Sequence, residues 1–474
     1  MQPTTEQHEV IETPEEAVLV SAFAGTGKTA TLRMFAEARP QYRILYLAFN
    51  RAIAKEANDK FRDLQNVEAR TIHSLAFKHI GYAYKSRLGN IRPYELQKKG
   101  VVSNYKDARF VLSALQSYCG SSAESFADLP LRTSSKARIV KQLVTLWNMI
   151  LDGSSGLPLP HDVYLKLFQL EGYRLDYDYI LVDEAQDLTD CVIDIVWQQR
   201  AAKVFVGDSH QQIYSWRGAV DSLQKLSGEA QHLFLTQSFR CPEYAANIAN
   251  RYLRLLDAPK DFHGLESPEV TNSQQAYIAR TNAYIFDQAT KLDLTTKRVH
   301  FLGGFDSYNF RSIVDARKLL DGKPREVQDP FMKNFSSAQA FMQYVDEANE
   351  ADLKARLEIA KERPDAEEVY HYLRDNCVER QSAADIILTT AHKVKGQEFC
   401  GVTILDDFFD VNAAVKKAQS KKDTTKIRAE ELNLLYVAIT RTLRDLHVSP
   451  EFVVPEETIS KFRQLVARGK IELY

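Results

Sequence analysis

The chain holds 474 residues, a length for about three folding units, and its 45% apolar and 26% charged content is ordinary for a globular protein, which excludes disorder of the whole chain. Lys and Arg total 61 against 63 for Asp and Glu, a net charge of -2, so positive charge does not coat the whole molecule for nucleic acid, although a local basic groove is compatible with it. No run approaches the roughly eighteen consecutive apolar residues of a membrane-spanning helix.

In chain order, the opening MQPTTEQHEVIETPEE is polar and acidic and lacks the apolar core of a secretion signal. Ala17–Phe23 (AVLVSAF) predicts a strand entering a glycine-rich turn, and Thr29–Ala38 a helix after it. Arg43–Phe49 predicts a second strand, Ile53, Ala54 and Ala57 a helix, and Val67–Ile72 a third strand. From Phe77 to about Tyr173 the pattern turns helical, with a loop at Gly153–Pro160. Strands return at Tyr179–Val182, Val204–Val206 and Leu233–Leu235, followed by a helix over Pro242–Leu256. A second alternating series has strands at Ala276–Ala279 and Val299–Leu302 and a helix over Phe310–Leu320. Asp321–Ser382 reads as polar and helical, and strands resume at Ile386–Thr389 and Val402–Leu405. Lys416–Arg428, charged and poor in apolar residues, reads as a mobile loop; a helix over Ala429–Thr442 and a strand at Leu446–Val448 close the series.

Strand and helix alternating in this way predict an α/β chain with two parallel-sheet cores, each interrupted by a helical insertion. The expected boundaries are 1–76 and 174–240 for the first core, 77–173 for its insertion, 241–320 and 383–474 for the second core, and 321–382 for its insertion. Charge follows this division: Lys78–Val144 carries 12 Lys/Arg against 4 Asp/Glu, and Glu326–Glu379 carries 6 against 13. Such asymmetry marks separate functional faces. Five scattered cysteines without a C-x-x-C pair read as reduced buried thiols of a cytoplasmic protein, not as a disulfide framework or a zinc ribbon.

Two segments carry phosphate chemistry. Ala22, Phe23, Ala24, Gly25, Thr26, Gly27, Lys28 and Thr29 (AFAGTGKT) lie between a strand and a helix, the context a phosphate-binding loop requires. Its glycines let backbone N–H groups wrap phosphates, Lys28 supplies a point charge at the β and γ phosphates, and the Thr29 hydroxyl can ligate Mg²⁺. The first position is Ala22 where the strict pattern has glycine. Tyr179–Asp187 (YILVDEAQD) places two acids at the tip of a buried strand, Asp183 to hold Mg²⁺ through water and Glu184 to orient and deprotonate an attacking water. Together they predict hydrolysis of a nucleoside triphosphate.

The ordered series DEAQD, GDSHQQIYSWRGA (Gly207–Ala219), SFR (Ser238–Arg240), TAHKVKGQEF (Thr390–Phe399) and LLYVAITR (Leu434–Arg441) resembles the motifs of UvrD/Rep-type superfamily 1 DNA helicases. Within that family SAFAGTGKTATL, LAFNRAIAKEA, FLGG with Tyr308 and Phe310 beyond it, and DPFMKNF resemble the short F-box DNA helicase branch. No F-box segment precedes the motifs, so recruitment of partners through one is not expected.

The resemblance implies two RecA-like P-loop domains facing each other across an ATP site, with ATP and Mg²⁺ as cofactors. Gln7 matches a reader of the adenine edge, Phe239 an aromatic stacked on adenine, and Glu398 a ribose-binding carboxylate. Gln211 matches the γ-phosphate sensor, and Arg240 and Arg441 match two arginine fingers. Ala30 stands where many members have an arginine near the base. Toward DNA, Trp216 matches a base-stacking residue beside Tyr214 and Arg217, Phe49 an aromatic of a base pocket, and His73 and His392 contacts to phosphates or loops. The implied activity is 3′→5′ movement on single-stranded DNA with unwinding of 3′-tailed duplexes. A translocase that strips proteins or recombinase filaments from single strands is the alternative, because the second insertion is short. A nucleotide-switched binding module is a third reading, disfavoured by the complete set of acids and arginines. The expected compartment is the cytoplasm, at the nucleoid if the cell is prokaryotic.

Overall fold

The apolar runs of the N-terminal half form one parallel sheet. Its strands are β1 (Ala17–Ala22), β2 (Ile44–Ala48), β3 (Val67–Thr71), β4 (Tyr179–Val182), β5 (Ala202–Gly207) and β6 (Gln231–Leu235), in the order β3-β2-β4-β5-β1-β6. Every neighbouring pair is parallel, so each connection is a crossover through helices. The structure is a computed structural model and describes residues 2–131, 133, 135–213, 220–266, 270, 273–329, 331–348, 351–420 and 424–474. Two units make up the chain, Met1–Phe23 with Gly27–Leu235, and Ala24–Thr26 with Thr236–Tyr474.

In the first unit the helices are α1 (Thr5–Glu12), α2 (Lys28–Glu37), α3 (Arg51–Lys60), α4 (Ile72–His79), α5 (Pro93–Lys98), α6 (Tyr105–Gly120), α7 (Lys136–Asp152), α8 (His161–Leu170), α9 (Asp190–Trp197) and α10 (Ser222–Lys225). Strand alternation divides the buried residues between two faces. Val18, Val20, Tyr46, Leu181 and Val206 belong to a core with Leu32, Phe35 and Ala57 of α2 and α3. Leu19, Leu45, Leu47, Val182 and Phe205 belong to the opposite core, which continues without a break into Val111 and Leu115 of α6, Leu143 and Leu146 of α7 and Val163 of α8. The basic insertion therefore shares one core with this face of the sheet, together with α4, α9 and α10. Its α8 also carries the fully buried Lys166, whose ammonium donates to the carbonyls of Ser121 (2.9 Å) and Ala123 and to Gln169 Oε1 (2.6 Å), tying the end of α6 to α8.

The second unit's strands are β7 (Gln237–Pro242), β8 (His263–Leu265), β9 (Gln275–Ala279), β10 (Val299–Phe301), β11 (Ile386–Thr390), β12 (Phe399–Ile404), β13 (Thr425–Ile427), β14 (Thr442–His447) and β15 (Ile471–Leu473). A parallel sheet runs β10-β11-β9-β12-β14, and β7 pairs with β8 and β13 with β15. Its helices are α11 (Glu243–Leu255), α12 (Asn282–Thr290), α13 (Arg311–Leu320), α14 (Ala338–Ala348), α15 (Ala351–Glu362), α16 (Ala366–Asn376), α17 (Val411–Ser420), α18 (Ala429–Ile439) and α19 (Glu456–Ala467). The acidic segment supplies α14–α16, whose Phe341, Leu357 and Leu373 share a core with Phe286, Phe301 and Ile313. The fold is thus α/β with two parallel sheets, as the alternation predicts.

Two local expectations differ. Lys416–Arg428 is not a loop throughout: α17 runs to Ser420 and Thr425–Ile427 pairs in parallel with β15, while residues 421–423 lie outside the described residues. Most of the apolar stripe of α17, Val411, Ala414, Val415 and Ala418, precedes or interrupts the lysines and is buried, so the charges occupy only its outer face. The last helix of the motif series stops at Ile439, and β14 begins at Thr442, earlier than the predicted Leu446.

Candidate functional site

The glycine-rich loop leaves the C-terminal end of β1. Gly25 (φ +72°) and Gly27 (φ +79°) take left-handed backbone, and α2 begins directly after Gly27, which puts Lys28 and Thr29 in its first turn. Ala22 closes β1 in register with Leu235, so the position needs no glycine conformation, and this is why the departure from the strict pattern costs nothing. Phe23 is buried, with its ring stacked on His210 at 6.2 Å.

The acids stand at the end of β4, two strands from β1 in the sheet. The Thr29 hydroxyl lies 3.5 Å from Asp183 Oδ2, and Lys28 Nζ lies 4.0 Å from Glu184 Oε1. Glu184 takes a left-handed φ of +53°, uncommon for a non-glycine residue and of the kind functional sites retain. Asp183 is buried, and burial, with the neighbouring Glu184 charge added, raises its pKa. Two donors oppose that shift: the Glu184 N–H at 2.9 Å and the Tyr46 phenol, reaching across from β2 to Asp183 Oδ2. The Tyr46 hydroxyl is itself held far above its usual range by burial and by Asp183.

A hydrogen-bond chain leads away from Glu184. Gln186 Nε2 donates to Glu184 Oε2 (2.7 Å), the Asp208 N–H donates to Gln186 Oε1 (3.0 Å), and Gln211 Nε2 donates to Asp208 Oδ2 (2.7 Å). A Cβ at Gly207 would stand 2.4 Å from Gln186 Oε1, so the glycine makes room for this amide. Tyr46 and Gln186 escape sequence reasoning. The available signals were a hydroxyl-bearing residue in an otherwise aliphatic strand, and a glutamine two positions after the acid pair. Gln7 is buried, its Oε1 accepting from the Thr4 N–H (3.0 Å) and its Nε2 donating to Thr31 Oγ1 (3.0 Å).

Within the second unit, Arg240 lies against the loop crest: a Cβ on Gly25 would be 2.5 Å from Arg240 Cγ. Its guanidinium pairs with Glu398, so two predicted nucleotide contacts hold each other. Ser238 Oγ donates to the Ala24 carbonyl (3.0 Å), the Phe239 N–H to the Gly25 carbonyl (2.9 Å), and the Ala24 N–H to Tyr436 Oη (3.1 Å). Arg441 is buried, its Nε donating to the Val437 carbonyl (2.8 Å) and Nη2 to Thr440 Oγ1 (3.0 Å). His392 Nε2 stands 3.9 Å from Glu430 Oε1.

Of the residues expected to meet a strand, Phe49 and His73 come together. Both line a cleft of about 520 Å³ at the ends of β2, β3 and β4, shared with Gln116, Cys119 and Gly120 of α6 and with Asp162, whose carboxylate is 3.2 Å from His73 Nε2. Tyr214, Trp216 and Arg217 lie outside the described residues. Thr29 and Asp183 form the oxygen donor set a hard cation needs when phosphates supply the remaining ligands. Among the described residues no group of three or more His, Cys, Asp or Glu could form an all-protein metal cage, which such a shared site does not require. Among the described residues no helix is long and apolar enough to cross a membrane.

Residues 7–217 match a family model described as an AAA domain. The chain is 32% identical to F-box DNA helicase 1 of Gallus gallus, over 92% of this chain and 47% of that protein. It is 30% identical to F-box DNA helicase protein 1 of Schizosaccharomyces pombe, over 94% of this chain and 57% of the relative, and 26% identical to the ATP-dependent DNA helicase PcrA of Staphylococcus aureus, over 53% and 40%. The chain thus spans about half the length of the curated relatives it matches.

Proposed function

This chain belongs with the UvrD/Rep-type superfamily 1 DNA helicases, and on that premise we propose that it is an ATP-driven 3′→5′ motor on single-stranded DNA that unwinds 3′-tailed duplexes. One observation carries the reading: the edge of the first sheet that gathers Lys28, Thr29, Asp183 and Glu184 also opens the cleft of Phe49 and His73. Ligands of parallel sheets collect at that edge.

Lys28 and the loop N–H groups bind the phosphates, and Glu184 orients the attacking water and takes its proton. Thr29 and Asp183 hold Mg²⁺, which when bound neutralises phosphate charge. Gln7 and Phe239 bind the adenine and Glu398 the ribose. Gln211 senses the γ-phosphate, and the Asp208–Gln186–Glu184 chain relays its position to the base. Arg240 and Arg441 offset charge on the γ-phosphoryl, which Arg240 does by leaving Glu398 and Arg441 by leaving the Val437 carbonyl. Phe49, His73, His392, Tyr214, Trp216 and Arg217 contact the strand.

ATP turnover measured with and without single-stranded DNA tests the motor, and tailed duplexes of both polarities test unwinding and direction. Lys28→Ala should abolish turnover while retaining strand binding; turnover at the parent rate refutes the loop assignment. The second reading, removal of proteins from single strands, is favoured by the acidic character of α14–α16, which suits a protein better than phosphates. Displacement of a protein block without unwinding would select it.

A further inference from the structure

We propose that a basic, aromatic cleft at the start of α6 is a second binding site for single-stranded nucleic acid, continuous with the Phe49 cleft along the outer ridge of that helix. The inference rests on the DNA-motor reading and extends its footprint on the strand. The cleft has a volume of about 530 Å³ and is lined by Tyr105, Lys106, Arg109 and Phe110 of α6 and by Arg138 of α7. Tyr105 is 56% exposed and Phe110 44% exposed, so two aromatic rings stand in water beside three cations. Asp107, also in the lining, is 3.8 Å from Arg138 and its N–H is tied to Asn104 Oδ1 (2.8 Å). Lys106 and Arg109 have no carboxylate within 4 Å among the described residues. Cations for phosphate beside exposed rings for bases are the two ingredients of sequence-tolerant single-strand binding. A duplex, with its bases already stacked and paired, would use only the first.

Geometry joins this cleft to the other. Lys106, Arg109, Ser113, Gln116 and Gly120 follow one another at three- and four-residue steps, which on a helix is a single ridge. The opposite face of α6, with Ala108, Val111, Leu115 and Cys119, is buried. Gln116 and Gly120, at the far end of the ridge, line the Phe49 cleft. Ten residues separate Lys106 from Gln116, about 15 Å of helix, or roughly four nucleotides at a stacked spacing of about 3.4 Å. The +8 surplus of Lys78–Val144 gives the insertion that carries the ridge a favourable overall field, with Lys106 and Arg109 at the end away from Asp162 and Asp187 of the Phe49 cleft.

The test is equilibrium binding of fluorescent oligo-dT to the full chain, at lengths of six and sixteen nucleotides and several salt concentrations. A six-nucleotide tail on a duplex is measured alongside. The parent should bind the long oligonucleotide more tightly than the short one. Lys106→Glu with Arg109→Glu should remove that increment, lower the salt slope for the long strand by about 1.4 (about 0.7 per phosphate contact) and leave the six-mer unchanged. Tyr105→Ala with Phe110→Ala should weaken the long strand by about thirtyfold or more without changing the slope. Parent-like affinity and slope in both double variants would overturn the proposal. So would a loss confined to the duplex-bearing substrate, which would assign the cleft to a duplex arm. If the parent binds no DNA and its ATP turnover ignores the six-mer, the motor reading itself has failed; if the six-mer stimulates turnover in every variant, only the second site is in question.

Discussion

Replacing Tyr46 with Phe removes one oxygen atom from the first unit and should affect both its stability and its acid tolerance. Tyr46 is fully buried and its hydroxyl donates to the buried Asp183 carboxylate. A hydrogen bond to a charged group contributes about 1.5–3 kcal/mol, and its loss leaves Asp183 with fewer donors in a site where desolvation already disfavours its charge. For a unit of this size each kcal/mol corresponds to about 2–4 °C of melting temperature, so the unfolding midpoint should fall by about 3–12 °C. The Tyr46 bond pulls the Asp183 pKa down against burial, so the Phe variant raises it further. The acid limb of ATP turnover should then move to higher pH, with the alkaline limb unchanged, and half-maximal Mg²⁺ should rise. Thermal unfolding, a pH–rate profile and a Mg²⁺ titration read these three effects. A midpoint within 1 °C of the parent, together with an unmoved acid limb, would show that Tyr46 is only packing and refute the reasoning.

Gly207→Ala places a methyl 2.4 Å from Gln186 Oε1 and 3.0 Å from the Ala185 nitrogen. It should cost about 1–3 kcal/mol in overpacking and reduce kcat more than the KM for ATP, and an unchanged kcat would remove Gln186 from the relay. Glu398→Gln breaks a partly exposed ion pair with Arg240 worth less than about 1 kcal/mol, so stability should barely change while the KM for ATP rises. A large drop in melting temperature at constant KM would make Glu398 structural. Glu68 accepts from the Tyr177 hydroxyl and then from Arg70, which holds its pKa below the ordinary carboxylate range. The stability this gives is present above the unfolded pKa and is lost as pH falls through the folded one. Tyr177→Phe should therefore lower the unfolding midpoint at neutral pH, and its difference from the parent should shrink as pH falls through the folded pKa of Glu68; a difference that does not change with pH would refute the coupling.

The elements most legible in the sequence are those whose chemistry is local. AFAGTGKT announces itself because strand, glycines and lysine are contiguous, and the structure returns the same strand, turn and helix around Lys28. Tyr46 was not legible, because its partner Asp183 is 137 residues away and meets it only through the β2–β4 register, in which Tyr46 lies opposite Leu181. Gln186 was hidden for the same reason, since its meaning depends on Gly207 arriving beside it on β5. The misread of Lys416–Arg428 has a different cause. Charge content describes the outer face of α17, whereas its buried face, Val411, Ala414, Val415 and Ala418, decides that it is a helix.

The unbroken apolar core that joins Leu19, Leu45 and Phe205 of the first sheet to Val111, Leu143 and Leu146 of the basic insertion limits how the protein can be rebuilt. Excising residues 77–173 would not trim an accessory module; it would open the core that α4, α9 and α10 share with the sheet carrying Lys28 and Glu184. Chimaeras that exchange this insertion with another chain must carry the sheet's facing residues with it. Native-state hydrogen exchange should find α6, α7 and β4 opening together as one cooperative block, with the insertion no more labile than the strands whose core it shares.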